Sequence, residues 1–214
     1  CSFDSICKSL ELTSEALFDS KSRQMNGAQI NQEKKISKNK RRPKASYNED
    51  GKVEFYSTKI RAKVTECERY PYKSEDGKIL FSVIKSDPKD FRPLTPDGFL
   101  CMEGVTKVPY KLPELINGIE ESKPILILEG EKDVERATQL GFIATTFFGG
   151  AGKWNEDYKK YFEAADVVLI PDNDFPGQKG MSKIAHALSE TAKSIKMLDL
   201  NQLGAQVPFE VNDF

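Results

Sequence analysis

The chain has 214 residues, with 32 Lys and Arg against 33 Asp and Glu, for a formal charge of −1; 38% are hydrophobic and 30% charged. That length allows one sizeable core, or two modest ones with polar stretches between them. No apolar run approaches the roughly 20 residues of a membrane-spanning helix, and the opening CSFDSICKSL lacks the basic-then-apolar order of a secretory signal. Cys1, Cys7, Cys67 and Cys101 are dispersed, with no CxxC and only His186 to join them. A disulfide framework and a zinc site complete within this sequence are therefore not expected, and a reduced, cytoplasmic protein is.

Residues 1–19 carry Phe3, Ile6, Leu10, Leu12 and Leu17 among Ser and Thr caps, a spacing that predicts one or two short amphipathic helices. Residues 20–50 are polar and nearly free of large apolar side chains, so a basic flexible linker is expected. Between Lys21 and Lys44 nine basic residues stand against one acid, Glu33, a local charge of +8. Such a block is either a solubilising linker or a tether that neutralises nucleic-acid phosphates. The start at a cysteine and the stop after an acidic and apolar pattern suggest an excised piece of a longer polypeptide.

From 51 to 122 short apolar and aromatic runs (Val53–Tyr56, Ile79–Ile84, Phe99–Met102, Val108–Tyr110) are separated by Asp76-Gly77, Asp97-Gly98 and prolines. Antiparallel hairpins are the expectation, with Glu75-Asp76-Gly77 as one turn. From 123 to 214 the pattern changes. Strands are expected at Ile125–Leu128, Phe142–Phe147, Val167–Ile170 and Ile195–Leu198, with helices near Lys132–Leu140, Trp154–Ala164 and Gly180–Lys193. Alternation of this kind predicts an α/β fold: an open, mainly parallel four-stranded sheet with flanking helices, preceded by a small β-rich subdomain.

Ligands of open α/β sheets bind beyond the carboxyl ends of the strands, and here those ends are acidic. Glu129 follows the first strand in EGEKD; Asp172 and Asp174 follow the third in IPDND. Asp133 lies one turn into the next helix, where it either faces the same mouth or simply complements the helix dipole. Three carboxylates in one crevice repel one another unless a cation offsets them. Hard oxygen donors without His or Cys suit Mg²⁺ or Mn²⁺ rather than Zn²⁺. GGAGKW is not a phosphate loop of the Walker type, since Phe147 and Trp154 stand where Gly and Ser or Thr are required. A glycine turn with Gly150 and Lys153 still offers N–H groups and a cation to a phosphate, and a plain strand-to-helix connection fits equally well.

Together ILILEGEKD, the glycine loop and a DxD after an apolar strand resemble the Toprim domain of bacterial-type DNA primases, topoisomerases and related nucleases, over about residues 123–214. YPYKSEDGKILFSVIKSDPKDFR, VPYKLPEL, GFIATTFFGGAGKW and DVVLIPDNDFPGQKGM further resemble primases of phages, plasmids and integrated elements. CSFDSICKSLELTSEALF looks like the exit from their zinc ribbon, so the resemblance makes Cys1 the last ligand of a ribbon whose other ligands lie upstream. VPFEVNDF is similar to their terminal acidic segment, with Asp213 on its acid and Phe209-Glu210 departing from the usual Lys-Asp.

The resemblance implies synthesis of RNA primers on single-stranded DNA from ribonucleoside triphosphates, with a replicative helicase in trans or fused. It assigns Glu129, Asp172 and Asp174 to catalysis and metal binding, with Asp133 and Asp213 as accessory acids. Glu129 then either ligates metal or orients and deprotonates the attacking hydroxyl. Lys132, Gly150 and Lys153 become candidates for the triphosphate, and Lys89, Arg92 and Lys111 for the template; solvent-facing charge is the competing reading of each lysine. A Toprim-type metal nuclease and a non-catalytic module binding single-stranded DNA or a helicase are the alternatives.

Overall fold

The computed structural model describes residues 42–198. The helices expected over 1–19, most of the basic block, and Asp213 lie outside the described residues. The chain divides into two compact units that meet in sequence at Pro113 and Glu114.

The first unit is a five-stranded antiparallel meander in sequential order: β1 (Ser46–Tyr47), β2 (Val53–Ser57), β3 (Ala62–Lys73), β4 (Ile79–Asp87) and β5 (Phe91–Leu94). Residues 44–47, expected in the linker, instead belong here, since Lys44 bridges Phe99 and Ser46–Tyr47 pairs with Val53–Glu54. The Ser74–Lys78 turn forms as expected, with Gly77 at φ 82°. Alternation puts Val53, Phe55, Val64, Ile84 and Leu94 into one buried cluster. Tyr72 and Phe81 are opposed across β3 and β4 and stack at 4.4 Å. Two of the expected runs are not strands: Phe99–Met102 contributes one bridge, and Val108–Tyr110 none. Tyr110 is buried by packing at 5.0 Å from Tyr72 rather than by a ladder.

Across the division runs α1 (Leu112–Glu120), a helix on the near side of the expected boundary at 122/123, most of which belongs to the second unit. It packs on the parallel sheet, because a Cβ on Gly118 would meet Ile143 at 2.8 Å and Ile125 at 3.2 Å. There follow β6 (Ile125–Ile127), α2 (Glu131–Gln139), β7 (Ile143–Thr145), 3-10 turns over Ala151–Lys153 and Glu156–Phe162, β8 (Asp166–Leu169), α3 (Phe175–Leu188) and β9 (Ser194–Met197). All pairings are parallel, in the order β7-β6-β8-β9. Ile125, Leu126 and Ile127 are fully buried, as a strand covered on both faces requires.

Two helices differ from the sequence reading. Within 154–164 the helix is 3-10 rather than α and covers only Glu156–Phe162. Asn155, Asp157, Tyr158, Tyr161 and Phe162 are poor helix formers, and aromatic packing sets the path. Phe147 stacks on Tyr158 and meets Trp154 edge-on, both at 5.0 Å. The last helix begins at Phe175 rather than 180 and ends at Leu188 rather than 193. Gly177 and Gly180 weaken its helical signal, yet Asp174 caps it and Pro176 sits in its first turn, where its missing N–H costs nothing.

Candidate active site

The strand order places a topological switch point between β6 and β8. From β6 the chain crosses outward to β7 on one side, then returns to β8 on the other. The crevice of such a sheet opens between those two strands at their carboxyl ends. Leu128 and Glu129 continue β6 into this opening, and Pro171–Asp174 continue β8.

Glu129 bridges the opening. Its Oε1 accepts the backbone N–H of Asp172 at 3.0 Å, while its own carbonyl accepts Thr146 Oγ1 at 3.0 Å. Asp174 Oδ1 accepts the N–H of Gly177 at 2.7 Å and so caps α3. A Cβ on Gly177 would lie 2.2 Å from Glu129 Oε1 and 3.0 Å from both Asp174 Oδ1 and the Asp172 carbonyl. Position 177 must therefore lack a side chain for the carboxylates of β6 and β8 to close on each other. Gly177 was not singled out from the sequence; its signal is a glycine in the first turn of a helix capped by a candidate ligand.

The electrostatics match the crowding. Burial raises the Glu129 carboxyl above the ordinary range, and Asp172, Asp174 and Asp133 add to this against the pull of the Asp172 N–H. Burial and then the Asp174 carboxylate raise Asp172 likewise. Oxygen donors crowded with like charge fit a hard divalent cation. A coordination sphere shared by these acids, however, is not preformed among the described residues. Among the described residues no group of three or more His, Cys, Asp or Glu is arranged to hold a metal ion. The reason is local: Glu129 is turned onto the Asp172 N–H, and one Asp174 oxygen is committed to the helix cap. Asp133 is half-buried on the first turn of α2, with a carboxyl oxygen 3.2 Å from where a Cβ on Gly130 would sit.

The glycine loop does approach this site. Gly150, at φ 82°, adopts a conformation that side chains disfavour. Its Cβ position is 3.6 Å from the Glu129 carbonyl. Lys153 is exposed at the end of its 3-10 turn, with its stem across Gly149, and Lys132 is exposed on α2. In the antiparallel unit, Lys89 and Arg92 share the β4–β5 hairpin. Lys89 lies 5.8 Å from the Phe91 ring. Arg92 is no isolated cation, since it pairs with Asp90 at 3.6 Å and lies over Phe55 at 5.7 Å. Lys111 precedes α1 with its ammonium 5.8 Å from the Tyr110 ring. His186 is exposed on α3, away from the strand ends.

No family model matches the chain, and no curated protein matches it. Solved structures do. The chain is similar to the primase fragment of the bacteriophage T7 primase-helicase protein, at 18% identity and TM-score 0.49, over 80% of this chain and 79% of that one. It is similar to a DNA primase domain from Pseudomonas aeruginosa, at 16% identity and TM-score 0.46, over 68% and 48% of the two chains. For the DnaG catalytic core the values are 17%, 0.44, 69% and 44%. Among the described residues no helix is long and apolar enough to cross a membrane.

Proposed function

We propose that the chain is the catalytic part of a Toprim-type DNA primase, joining ribonucleoside triphosphates on a single-stranded DNA template. The observation that carries the reading is the approach of the Glu129 and Asp174 carboxylates and the Asp172 backbone around Gly177 at the switch point of a parallel sheet. The resemblance of EGEKD, GGAGKW and PDND-PG to primase segments favours primer synthesis among the chemistries that such a site supports.

Nucleotidyl transfer forms a bond from a 3′-hydroxyl oxygen to an α-phosphorus and releases pyrophosphate. Glu129, Asp172 and Asp174 would hold Mg²⁺ or Mn²⁺, which neutralises charge on the transferring phosphate and its leaving group. Asp133 and Asp213 are accessory acids in this reading. Glu129 keeps Oε1 on the Asp172 N–H and Asp174 keeps Oδ1 on Gly177, so each would present its second oxygen to the cation. Lys132, Gly150 and Lys153 are the triphosphate candidates; Lys89, Arg92 and Lys111 are the template candidates. A replicative helicase, fused or separate, is the partner that this function calls for, and the cytoplasm its place.

The test is incubation with single-stranded DNA, labelled ribonucleotides and Mg²⁺, scoring synthesis and cleavage together. Short template-dependent RNA is the expected product. Strand cleavage without synthesis would replace this reading by a metal nuclease, and DNA binding with neither product would replace it by a binding module.

A further inference from the structure

Beyond the carboxylates, the parallel unit has a second feature that none of the roles above uses. A cleft of about 840 Å³ runs between α3 and the segment after the glycine loop. Trp154 and Lys159 line one side; Lys179, Ser182, Lys183 and His186 line the other. The α3 residues fall at intervals of three and four, so they form one stripe on one helix face. That stripe starts at Phe175, which is 75% exposed directly after Asp174, and whose ring lies 5.9 Å from Lys179 Nζ. From Phe175 to His186 it extends about 16 Å at a rise of about 1.5 Å per residue.

The charge of the cleft is asymmetric. Glu156 is satisfied within it, by Lys159 at 2.7 Å and by Trp154 Nε1 at 3.0 Å. Lys179 and Lys183 have no ion pair among the described residues. Glu190 lies at the far end of the stripe. The segment nearest the carboxylates thus presents two ammonium groups, Lys179 and Lys183, with no ion pair among the described residues, behind the exposed ring of Phe175. Single-stranded nucleic acid calls for such a surface: cations that follow the phosphates and an aromatic face on which a base stacks.

We propose that this α3 groove carries single-stranded DNA next to the carboxylate site, with Phe175 stacking on a base and Lys179 and Lys183 contacting successive phosphates. The choice of occupant rests on the primase reading; the groove itself rests on charge, shape and exposure. It adds a DNA track to the candidates on the antiparallel unit, and it starts at the residue adjoining Asp174.

The test uses the 214-residue chain and a labelled oligothymidylate in chelator, without nucleotide, so that binding is read independently of catalysis. The double variant Lys179→Ala, Lys183→Ala should lower the slope of log affinity against log salt by about 1.4, at about 0.7 per phosphate contact. The double Lys→Arg variant should retain the slope. Phe175→Ala should weaken binding about tenfold, the scale of one lost stacked base, with the slope unchanged. Lysine acylation of the native chain provides a readout without mutation: Lys179 and Lys183 should be protected by the oligonucleotide. An unaltered slope, equal acylation with and without DNA, or equally tight binding of a duplex would each overturn the groove. Synthesis assayed separately distinguishes the two ideas. Primer formation with an unaltered slope removes the groove alone, whereas a reduced slope without primer formation keeps the groove and removes the primase reading.

Discussion

The carboxylate of Glu129 accepts the backbone N–H of Asp172 at 3.0 Å, tying the end of β6 to the end of β8 across 43 residues of sequence. The same carboxylate belongs to the charged cluster proposed to hold the cation, so its geometric and electrostatic roles can be separated by substitution. Glu129→Gln retains an acceptor for Asp172 and removes the charge; Glu129→Ala removes both. Primer synthesis should fall at least roughly 100-fold in either, the scale of losing one preorganised charge-stabilising group. Thermal stability should hold or rise in the Gln variant, because the burial and like charges that penalise the carboxylate no longer apply. The Ala variant should lose about 1 kcal/mol with the hydrogen bond. Equal thermal losses in both would mean that repulsion is not significant there.

Asp174 permits a similar separation at the helix cap. Asn is as good a cap as Asp, so Asp174→Asn should keep α3 intact while weakening cation binding. Adding Mg²⁺ should raise the melting temperature of the native chain, since a ligand bound only by the folded state stabilises it by about 2.7 kcal/mol at one hundred times its Kd. Asp172→Asn and Asp174→Asn should each blunt that rise. A melting temperature indifferent to Mg²⁺ in the native chain would count against these acids as ligands.

Gly177 is the steric condition of the site. An added methyl would arrive 2.2 Å from Glu129 Oε1, closer than any real contact. Gly177→Ala should therefore displace Glu129 and cost about 1 to 3 kcal/mol, in the manner of overpacking. Activity should fall as far as in Glu129→Ala. Full activity in Gly177→Ala would show that the closed arrangement of Glu129 is dispensable.

Much of this was legible because its causes are local in sequence. Ile125–Leu128 and Val167–Ile170 are short apolar runs, and the acids immediately after them have to emerge at the strand ends. Other features depend on contacts that no local pattern encodes. The polar strand β3 buries only three of its twelve residues and gains its place by pairing with β2 and β4. The start of α3 was masked by two glycines whose purpose is approach: Gly177 to Glu129, and Gly180 to Ala151, where a Cβ would meet the Ala151 methyl at 3.2 Å. The carboxylates were legible as a set, but not the N–H bonds that Glu129 and Asp174 accept.

Tyr158 is fully buried, and its hydroxyl has no hydrogen-bond partner among the described residues. Burial, followed by the charge of Asp157 and then Tyr161, pushes its phenol up to about 12. An unpaired buried hydroxyl costs about 1 to 3 kcal/mol relative to a satisfied one. Tyr158→Phe keeps the stack on Phe147 and removes that cost, so urea unfolding should show a gain of about 1 kcal/mol. A loss of that size would reveal a partner for the hydroxyl.

Asp166 begins β8 and holds the incoming end of β9. Its two oxygens accept Lys193 Nζ and Ser194 Oγ, each at 2.6 Å. Burial pushes this carboxyl up, but the Lys193 and Ser194 bonds and the nearby lysines outweigh it, leaving it below the ordinary carboxylate range. A depressed folded-state value means that the stabilisation is fully present above the unfolded value, about 3.9, and fades as pH falls through the folded one. Asp166→Asn should thus cost about 1 kcal/mol at neutral pH, the lower range for bonds to a charged group in a partly exposed pair. As the solution is acidified below about pH 4 the gap between native chain and variant should close, because the native Asp166 then takes up a proton and loses the same advantage. Urea unfolding of both proteins across that range measures the gap directly. A constant gap at every pH would assign the effect of Asp166 to packing at the start of β8 rather than to its charge.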